Sequence, residues 1–147
     1  MTLSEPVQRS WSGTYRLGDY GSLVVSVQAP PPNWVIPTLQ AMGELLELRT
    51  DWDSYGAKRI NPSHVIAAIN LLTLVMTENI PIPSVVPTSC GGVQLEWHTN
   101  GIDLEISTVS SYRFLVSFEN SGEEKEWELT ADLNDLVECL SKLSNRP

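Results

Sequence analysis

The segment between Val93 and Ile106 constrains the fold of this chain most strongly. Apolar and polar residues alternate on both sides of Thr99-Asn100-Gly101. Such alternation is typical of a β-strand with one buried face, and an Asn-Gly pair between two such runs predicts a two-residue hairpin turn. The side chains expected on the buried face are Val93, Leu95, Trp97, Ile102, Leu104 and Ile106.

The alternation continues beyond this hairpin. A third strand is predicted from Tyr112 to Phe118, and a fourth around Trp127 and Leu129, after the Asn120-Ser121-Gly122 turn. Strands that follow one another through short turns pair antiparallel. The sequence therefore predicts a four-stranded antiparallel meander.

Three segments with helical spacing of apolar residues accompany the meander. They are predicted from about Thr38 to Arg49, from Asn61-Pro62 to about Glu78, and from Thr130 onwards. The prolines of residues 81–87 predict an extended connection between the second helix and the hairpin. The fold class expected is α+β, with the four-stranded meander packed against two to three helices.

The length of 147 residues is that of one domain. Residues 1–32, which end in three consecutive prolines, are predicted to be an N-terminal arm or edge strands, and residues 33–147 a single α+β domain. Residues 65–76 are more apolar than a helix with one solvated face. They indicate either a central core helix or half of an oligomer contact.

The charge of the chain limits its partners. The net charge is -9, and residues 96–147 contain eleven acidic residues against four basic ones. A broad nucleic-acid surface needs many cations, so no direct contact with nucleic acid is expected. The acidity either maintains solubility or attracts a protein with a basic surface.

The turn at Asn100-Gly101 predicts which polar residues face each other across the hairpin. Glu96 is expected opposite Glu105, and His98 opposite Asp103. Two like charges in direct opposition weaken a strand pair, and Arg113 is the cation expected to relieve them. Three interpretations follow: a contact surface for a Lys/Arg-rich partner, a divalent-metal site, or a plain solvated face.

A second candidate is the loop of residues 52–57, which joins the first two predicted helices. Trp52 and Tyr55 are large aromatics where small polar residues would suffice, and Asp53 lies between them. Aromatic side chains in a loop either anchor a binding partner or cover the edge of a core. Trp52, Asp53 and Tyr55 are therefore candidate partner-binding residues.

The cellular compartment of the chain is predicted from two further features of the sequence. The chain shows no basic-then-apolar leader and no apolar run near the roughly 20 residues that a bilayer span needs. Cys90 and Cys139 are too few for a disulfide framework and are expected to be free thiols. A cytoplasmic location without membrane contact is predicted.

Several of these segments resemble a widespread family of small uncharacterised bacterial proteins. The resemblance rests on Trp52-Asp53-Ser54-Tyr55-Gly56-Ala57, Asn61-Pro62-Ser63, Pro87-Thr88, and the run from Gly91-Gly92 through His98 with residues 101–106. It covers roughly residues 39 to 130. It implies a bacterial source and recurring residues, without implying a reaction.

The sequence contains no phosphate loop, nucleophile elbow or cysteine-histidine metal spacing, and no cofactor is expected. The favoured function is a non-enzymatic protein-interaction module, such as an inhibitor, an immunity-like partner or a small subunit of a larger bacterial assembly. One alternative is a metal-dependent enzyme using the Glu/His/Asp cluster of the hairpin. Another is an acidic mimic of nucleic acid.

Overall fold

The computed structural model describes residues 11–16, 21–27 and 30–144. Its elements in chain order are β1 (Trp11–Arg16), β2 (Ser22–Val27), α1 (Val35–Leu46), α2 (Pro62–Val75), β3 (Ser84–Pro87), β4 (Val93–Thr99), β5 (Ile102–Thr108), β6 (Phe114–Asn120), β7 (Glu123–Glu128) and α3 (Asn134–Leu143). The predicted α+β class is confirmed.

Strands β3 to β7 form one antiparallel sheet in sequence order. The predicted hairpin register is confirmed, since Trp97 pairs with Leu104 and Glu96 with Glu105. Asn100 and Gly101 have φ values of 54° and 74°. A two-residue turn matched to the twist of the strands needs positive φ at both positions, which Asn and Gly tolerate best.

The prediction of four strands is wrong, because the sheet has five. The additional strand, β3, lies within the proline-rich connection and pairs with β4 through Ser84–Glu96 and Val85–Leu95. Proline lacks an N–H donor and is therefore confined to the edge or the end of a sheet. Pro87 meets both conditions as the last residue of an edge strand, so the prolines limit this strand without preventing it.

The helix boundaries differ from the prediction by a few residues. Helix α1 begins at Val35 rather than Thr38, and Pro37 fits within its first turn, where N–H groups have no partner inside the helix. Helix α3 begins at Asn134 rather than Thr130. The hydroxyl of Thr130 accepts the N–H of Asp132, and the Asp132 carboxylate accepts the N–H of Asn134, so polar side chains hold turns there instead.

The core lies between the three helices and one face of the sheet. Trp97 is 2% exposed, and its indole Nε1–H donates to the Pro81 carbonyl at 2.7 Å. Residues of all three helices share this core cluster, among them Leu39, Leu72 and Leu140. The apolar hairpin face predicted from alternation is therefore the face that the helices cover.

Helix α2 is largely a core helix. Six of its residues are buried, although Leu74 is 72% exposed and Ile66 39% exposed. In the part of the chain that the structure describes, no helix combines the length and apolarity of a bilayer span. Both cysteines are free: Cys90 is exposed and Cys139 is buried on α3.

The N-terminal region forms its own two-stranded sheet from β1 and β2. Leu23 and Val25 of β2 are partly buried against the main core. The remaining residues of the predicted N-terminal region, 1–10, 17–20 and 28–29, lie outside the described residues.

Thr38 on α1 has a buried hydroxyl that finds no hydrogen-bond partner within the described residues. The side chain is 1% exposed. Substitution to valine keeps its shape and removes the desolvated polar group, so Thr38→Val is expected to raise the free energy of unfolding by about 1–2 kcal/mol. Urea denaturation measures this change. Thr38→Ala is the control, because it also removes a methyl group and should not gain stability. A loss of stability in Thr38→Val would contradict the assignment of the Thr38 hydroxyl as buried without a partner.

Candidate functional site

The face of the five-stranded sheet that points away from the helices is acidic. Residues in direct opposition share a face, so the register determines its composition. Seven carboxylates lie on it: Glu96, Asp103, Glu105, Glu119, Glu124, Glu126 and Glu128. We call these seven residues together with His98 the acidic sheet face.

Several of these carboxylates stand directly opposite one another. Glu96 pairs with Glu105, Asp103 with Glu119, and Glu119 with Glu124. Each like-charge pair costs up to about 1 kcal/mol. Strands β3 to β7 place neither Lys nor Arg on this face, since Lys125, the one Lys or Arg of these strands, is in register with the core residue Phe118. The face therefore keeps most of its negative charge.

His98 is the group that meets the carboxylates at the hairpin end of the face. Its Nδ1 lies 2.6 Å from Asp103 Oδ1, and its Nε2 lies 3.2 Å from Glu96 Oε2. The hydrogen bond to Asp103, followed by that to Glu96, raises the pKa of His98 above its usual value. The predicted opposition of His98 and Asp103 is confirmed, and the imidazole contacts two of the three carboxylates predicted with it.

The carboxylate of Glu96 is held from its other side. Gln94 Nε2 donates to Glu96 Oε1 at 2.7 Å, and Ser107 Oγ donates to Gln94 Oε1 at 2.8 Å. Glu96 Oε2 remains directed toward His98. Ligand atoms of Glu96, His98 and Glu105 all lie within 4.8 Å of one another, so among the described residues these three have the spacing that one metal ion requires.

Arg113, the cation predicted to relieve the repulsion between Glu96 and Glu105, contacts neither carboxylate. Arg113 instead donates from Nε to Glu128 Oε1 at 2.6 Å. This pair raises the pKa of Arg113 and lowers that of Glu128. Arg113 comes just before β6, beside the end of β7, which places it two strands away from β4. The prediction was wrong because Glu128, on the strand predicted around Trp127 and Leu129, lies beside Arg113 and binds it.

The structure shows what holds the second candidate, the loop of residues 52–57. Asp53 Oδ1 accepts the N–H groups of Tyr55 and Ala57, and Trp52 Nε1 donates to the Lys58 carbonyl at 3.1 Å. Tyr55 projects outward and is 92% exposed. Trp52 and Asp53 thus maintain the loop conformation, while their role and that of Tyr55 in partner binding stay predictions.

The structure does not bring the two candidate groups together. The N–H of Lys58, next to the loop, donates to the Ser89 carbonyl, so the loop lies beside the connection that enters β4 at Val93. His98 lies at the other end of β4, roughly 17 Å along the strand. The acidic sheet face and the loop are therefore separate surfaces.

Four residues of the acidic sheet face were missed from the sequence: Glu119, Glu124, Glu126 and Glu128. The signal is present in the alternation of β6 and β7, where Phe118 and Trp127 face inward. In a strand as charged as β7, only the position of Trp127 indicates which acids share a face.

The Asn61, Thr88 and Gly91-Gly92 segments meet at the end of β4 that begins with Val93. The Asn61 N–H donates to the Gly91 carbonyl, and Thr88 Oγ1 accepts the Gly92 N–H at 2.9 Å. Thr108 Oγ1 accepts the Val93 N–H at 2.9 Å and lies 2.7 Å from His64 Nδ1. Burial lowers the pKa of this histidine. These contacts give Asn61, Thr88 and Thr108 a packing role.

The raised pKa of His98 predicts the pH dependence of stability. A raised folded-state pKa means that protonation stabilises the fold; this contribution is complete below the unfolded-state pKa and is lost as pH rises through the folded-state value. In buffer that contains a metal chelator, wild type should exceed His98→Gln in melting temperature by more at about pH 5.5 than at about pH 8.5. His64→Gln, whose histidine has a lowered pKa, should show the opposite trend. Equal trends for both variants would contradict the His98 geometry.

Comparison of the chain with protein-family models, with curated proteins and with solved structures found no match. The resemblance of residues 39–130 to a bacterial family therefore stays a prediction, and the candidate site is interpreted from its own geometry and charge.

Proposed function

We propose that this chain is a non-enzymatic protein-interaction module that docks on a basic surface of another protein through its acidic sheet face. The observation that carries the proposal is the concentration of seven carboxylates on one sheet face, with like charges directly opposed. An ordered array of one sign attracts a partner of opposite sign and speeds encounter.

Solubility alone does not account for this arrangement. Scattered surface charges maintain solubility equally well and avoid the repulsion between Glu96 and Glu105 or between Glu119 and Glu124. Lys or Arg side chains of a partner, placed between these pairs, remove the repulsion and gain charge-assisted hydrogen bonds. The unfavourable pairs in the free chain therefore favour binding.

The test uses two variants that remove the same charge. Glu96→Gln/Glu105→Gln removes two carboxylates from the acidic sheet face, and Glu44→Gln/Glu47→Gln removes two exposed carboxylates at the C-terminal end of α1. Tagged chains at native expression are purified in EDTA at low and physiological salt, and recovered proteins are quantified by mass spectrometry. A stoichiometric partner should be recovered by wild type and the α1 variant, and at least tenfold less by the sheet variant.

Salt provides an independent control, because exposed charges are screened over about 8–10 Å at physiological ionic strength. Recovery with wild type should decrease as salt rises. Equal losses in the two variants would show that only net charge matters, and recovery of no stoichiometric partner at low salt would refute the proposal.

The single substitutions should separate binding from folding. Glu105→Gln is expected to hold or raise the free energy of unfolding by up to about 1 kcal/mol, through relief of its repulsion with Glu96. Glu96→Gln should gain less, since Glu96 also contacts Gln94 and His98. Thermal denaturation checks both, and unfolding of both variants would contradict an exposed site.

A further inference from the structure

We propose that Glu96, His98 and Glu105 bind one divalent transition-metal ion, of which Zn²⁺ is the reference. The inference stands on the placement of side-chain atoms on β4 and β5 and does not depend on a protein partner. Glu96 and His98 are two residues apart on one face of β4, and Glu105 lies directly opposite Glu96. The strand pair thus presents three donors as a triangle.

The separation of the donors suits one ion. Their ligand atoms lie within 4.8 Å of one another. Ligands on a tetrahedral ion with bonds of about 2.0–2.1 Å lie about 3.3 Å apart. His98 Nε2 and Glu96 Oε2 already lie 3.2 Å apart. Only the Glu105 carboxylate has to approach, and its side chain can rotate without moving the backbone.

His98 is oriented as a metal-binding imidazole is. A ligating histidine usually donates its second ring N–H to a carboxylate, which selects the tautomer and increases the basicity of the ligating nitrogen. Asp103 accepts in this way from His98 Nδ1 at 2.6 Å, with Nε2 turned toward Glu96. Asp103 is therefore a positioning residue and not a ligand, although the sequence grouped it with the other three.

Glu96 has a comparable support. Gln94 binds Glu96 Oε1, and Ser107 binds Gln94, so Oε2 is the oxygen left for an ion. Ligating carboxylates are typically held by such outer hydrogen bonds. A divalent cation here also cancels the repulsion between Glu96 and Glu105.

The donor set selects the class of ion. One imidazole nitrogen and two carboxylate oxygens suit Zn²⁺ and neighbouring first-row ions, whereas Mg²⁺ prefers oxygen ligands and retains its waters. Three protein ligands leave one tetrahedral position for water.

The experiment is calorimetric titration of the full chain, with its tag removed, by Zn²⁺ and separately by Mg²⁺, together with the absorption spectrum of the Co²⁺ form. We expect one Zn²⁺ per chain, no saturable heat with Mg²⁺, and a Co²⁺ spectrum without a thiolate band. His98→Ala and Glu105→Gln should each weaken Zn²⁺ binding by at least tenfold, and Asp103→Asn by 10- to 100-fold, as is typical when an outer-shell partner is lost.

Two controls test the alternatives. Glu126→Gln removes a carboxylate from the same face but outside the triangle, and should change the affinity by less than about twofold. Cys90→Ser removes the exposed thiol and should leave binding intact. Absence of saturable Zn²⁺ binding to wild type would overturn the inference, as would an unchanged Zn²⁺ affinity in His98→Ala. An equal loss of Zn²⁺ affinity in Glu126→Gln would also overturn it, by showing diffuse attraction of the ion to the acidic sheet face. The titration uses the purified chain without a partner, and partner recovery is measured in EDTA without a metal. A negative result in either experiment therefore leaves the other proposal standing.

Discussion

Replacement of Trp97 by alanine is expected to lower the free energy of unfolding by about 3–5 kcal/mol, the usual loss for a large aromatic truncated in a core. Trp97 is 2% exposed and lies in the central part of the sheet, opposite Leu104. Its indole also donates to the Pro81 carbonyl at 2.7 Å, which ties the connection before β3 to the hairpin. Alanine removes both the packing and this hydrogen bond.

Trp97→Phe separates the two contributions. It keeps most of the aromatic volume but leaves the Pro81 carbonyl without its donor, so a smaller loss of about 1–3 kcal/mol is expected. Urea denaturation followed by circular dichroism measures both variants, because tryptophan fluorescence itself changes on mutation. A loss below about 1 kcal/mol in Trp97→Ala would contradict the buried position.

The second large effect is expected at Gly92, where alanine should cost about 2–4 kcal/mol. A Cβ atom there would lie 2.7 Å from Thr108 Oγ1, and 2.9 Å from both the Thr108 carbonyl oxygen and Thr88 Oγ1. Overpacking of this kind costs about 1–3 kcal/mol. Displacing Thr88 or Thr108 also weakens the hydrogen bonds to the N–H groups of Gly92 and Val93, at about 1 kcal/mol each.

Gly43→Ala is the matched control for this prediction. Gly43 lies inside α1, and a Cβ atom built there meets no atom within 4 Å. Because glycine in a helix is less favourable than alanine by about 0.5–1 kcal/mol, this variant should gain stability. Thermal denaturation of both variants tests whether space, rather than the change of residue type, decides the outcome at Gly92. An unchanged melting temperature in Gly92→Ala would contradict the prediction, because it would show that Thr88 and Thr108 move aside at little cost.

Much of the local structure follows from the sequence alone. The two-residue alternation from Val93 to Ile106 and the Asn100-Gly101 turn specify the hairpin register, since a slip by one residue exchanges its two faces. Asn61 accepts the Ser63 N–H and Pro62 opens α2, as that residue pair predicts. These features depend on dihedral preferences and side-chain period, which neighbouring residues determine.

The candidate site was only partly predictable. Its half on β4 and β5 followed from the turn, because the residues facing each other there are close in sequence. The carboxylates of β6 and β7 joined it through the register of two further strand pairs. The partner of Arg113 was decided in the same way, by the position of Glu128 on a strand that the local pattern places only coarsely.

Three features were decided by the tertiary structure. Strand β3 exists because β4 supplies its hydrogen-bond partners, although Pro83 and Pro87 on either side of Val85-Val86 weaken the local strand signal. The space at Gly92 is limited by Thr108, sixteen residues later. The orientation of the Glu96 carboxylate depends on Gln94 and Ser107, which belong to different strands. In each case at least one deciding group lies on a different strand, and a local pattern carries no information about groups that meet only when the strands pair.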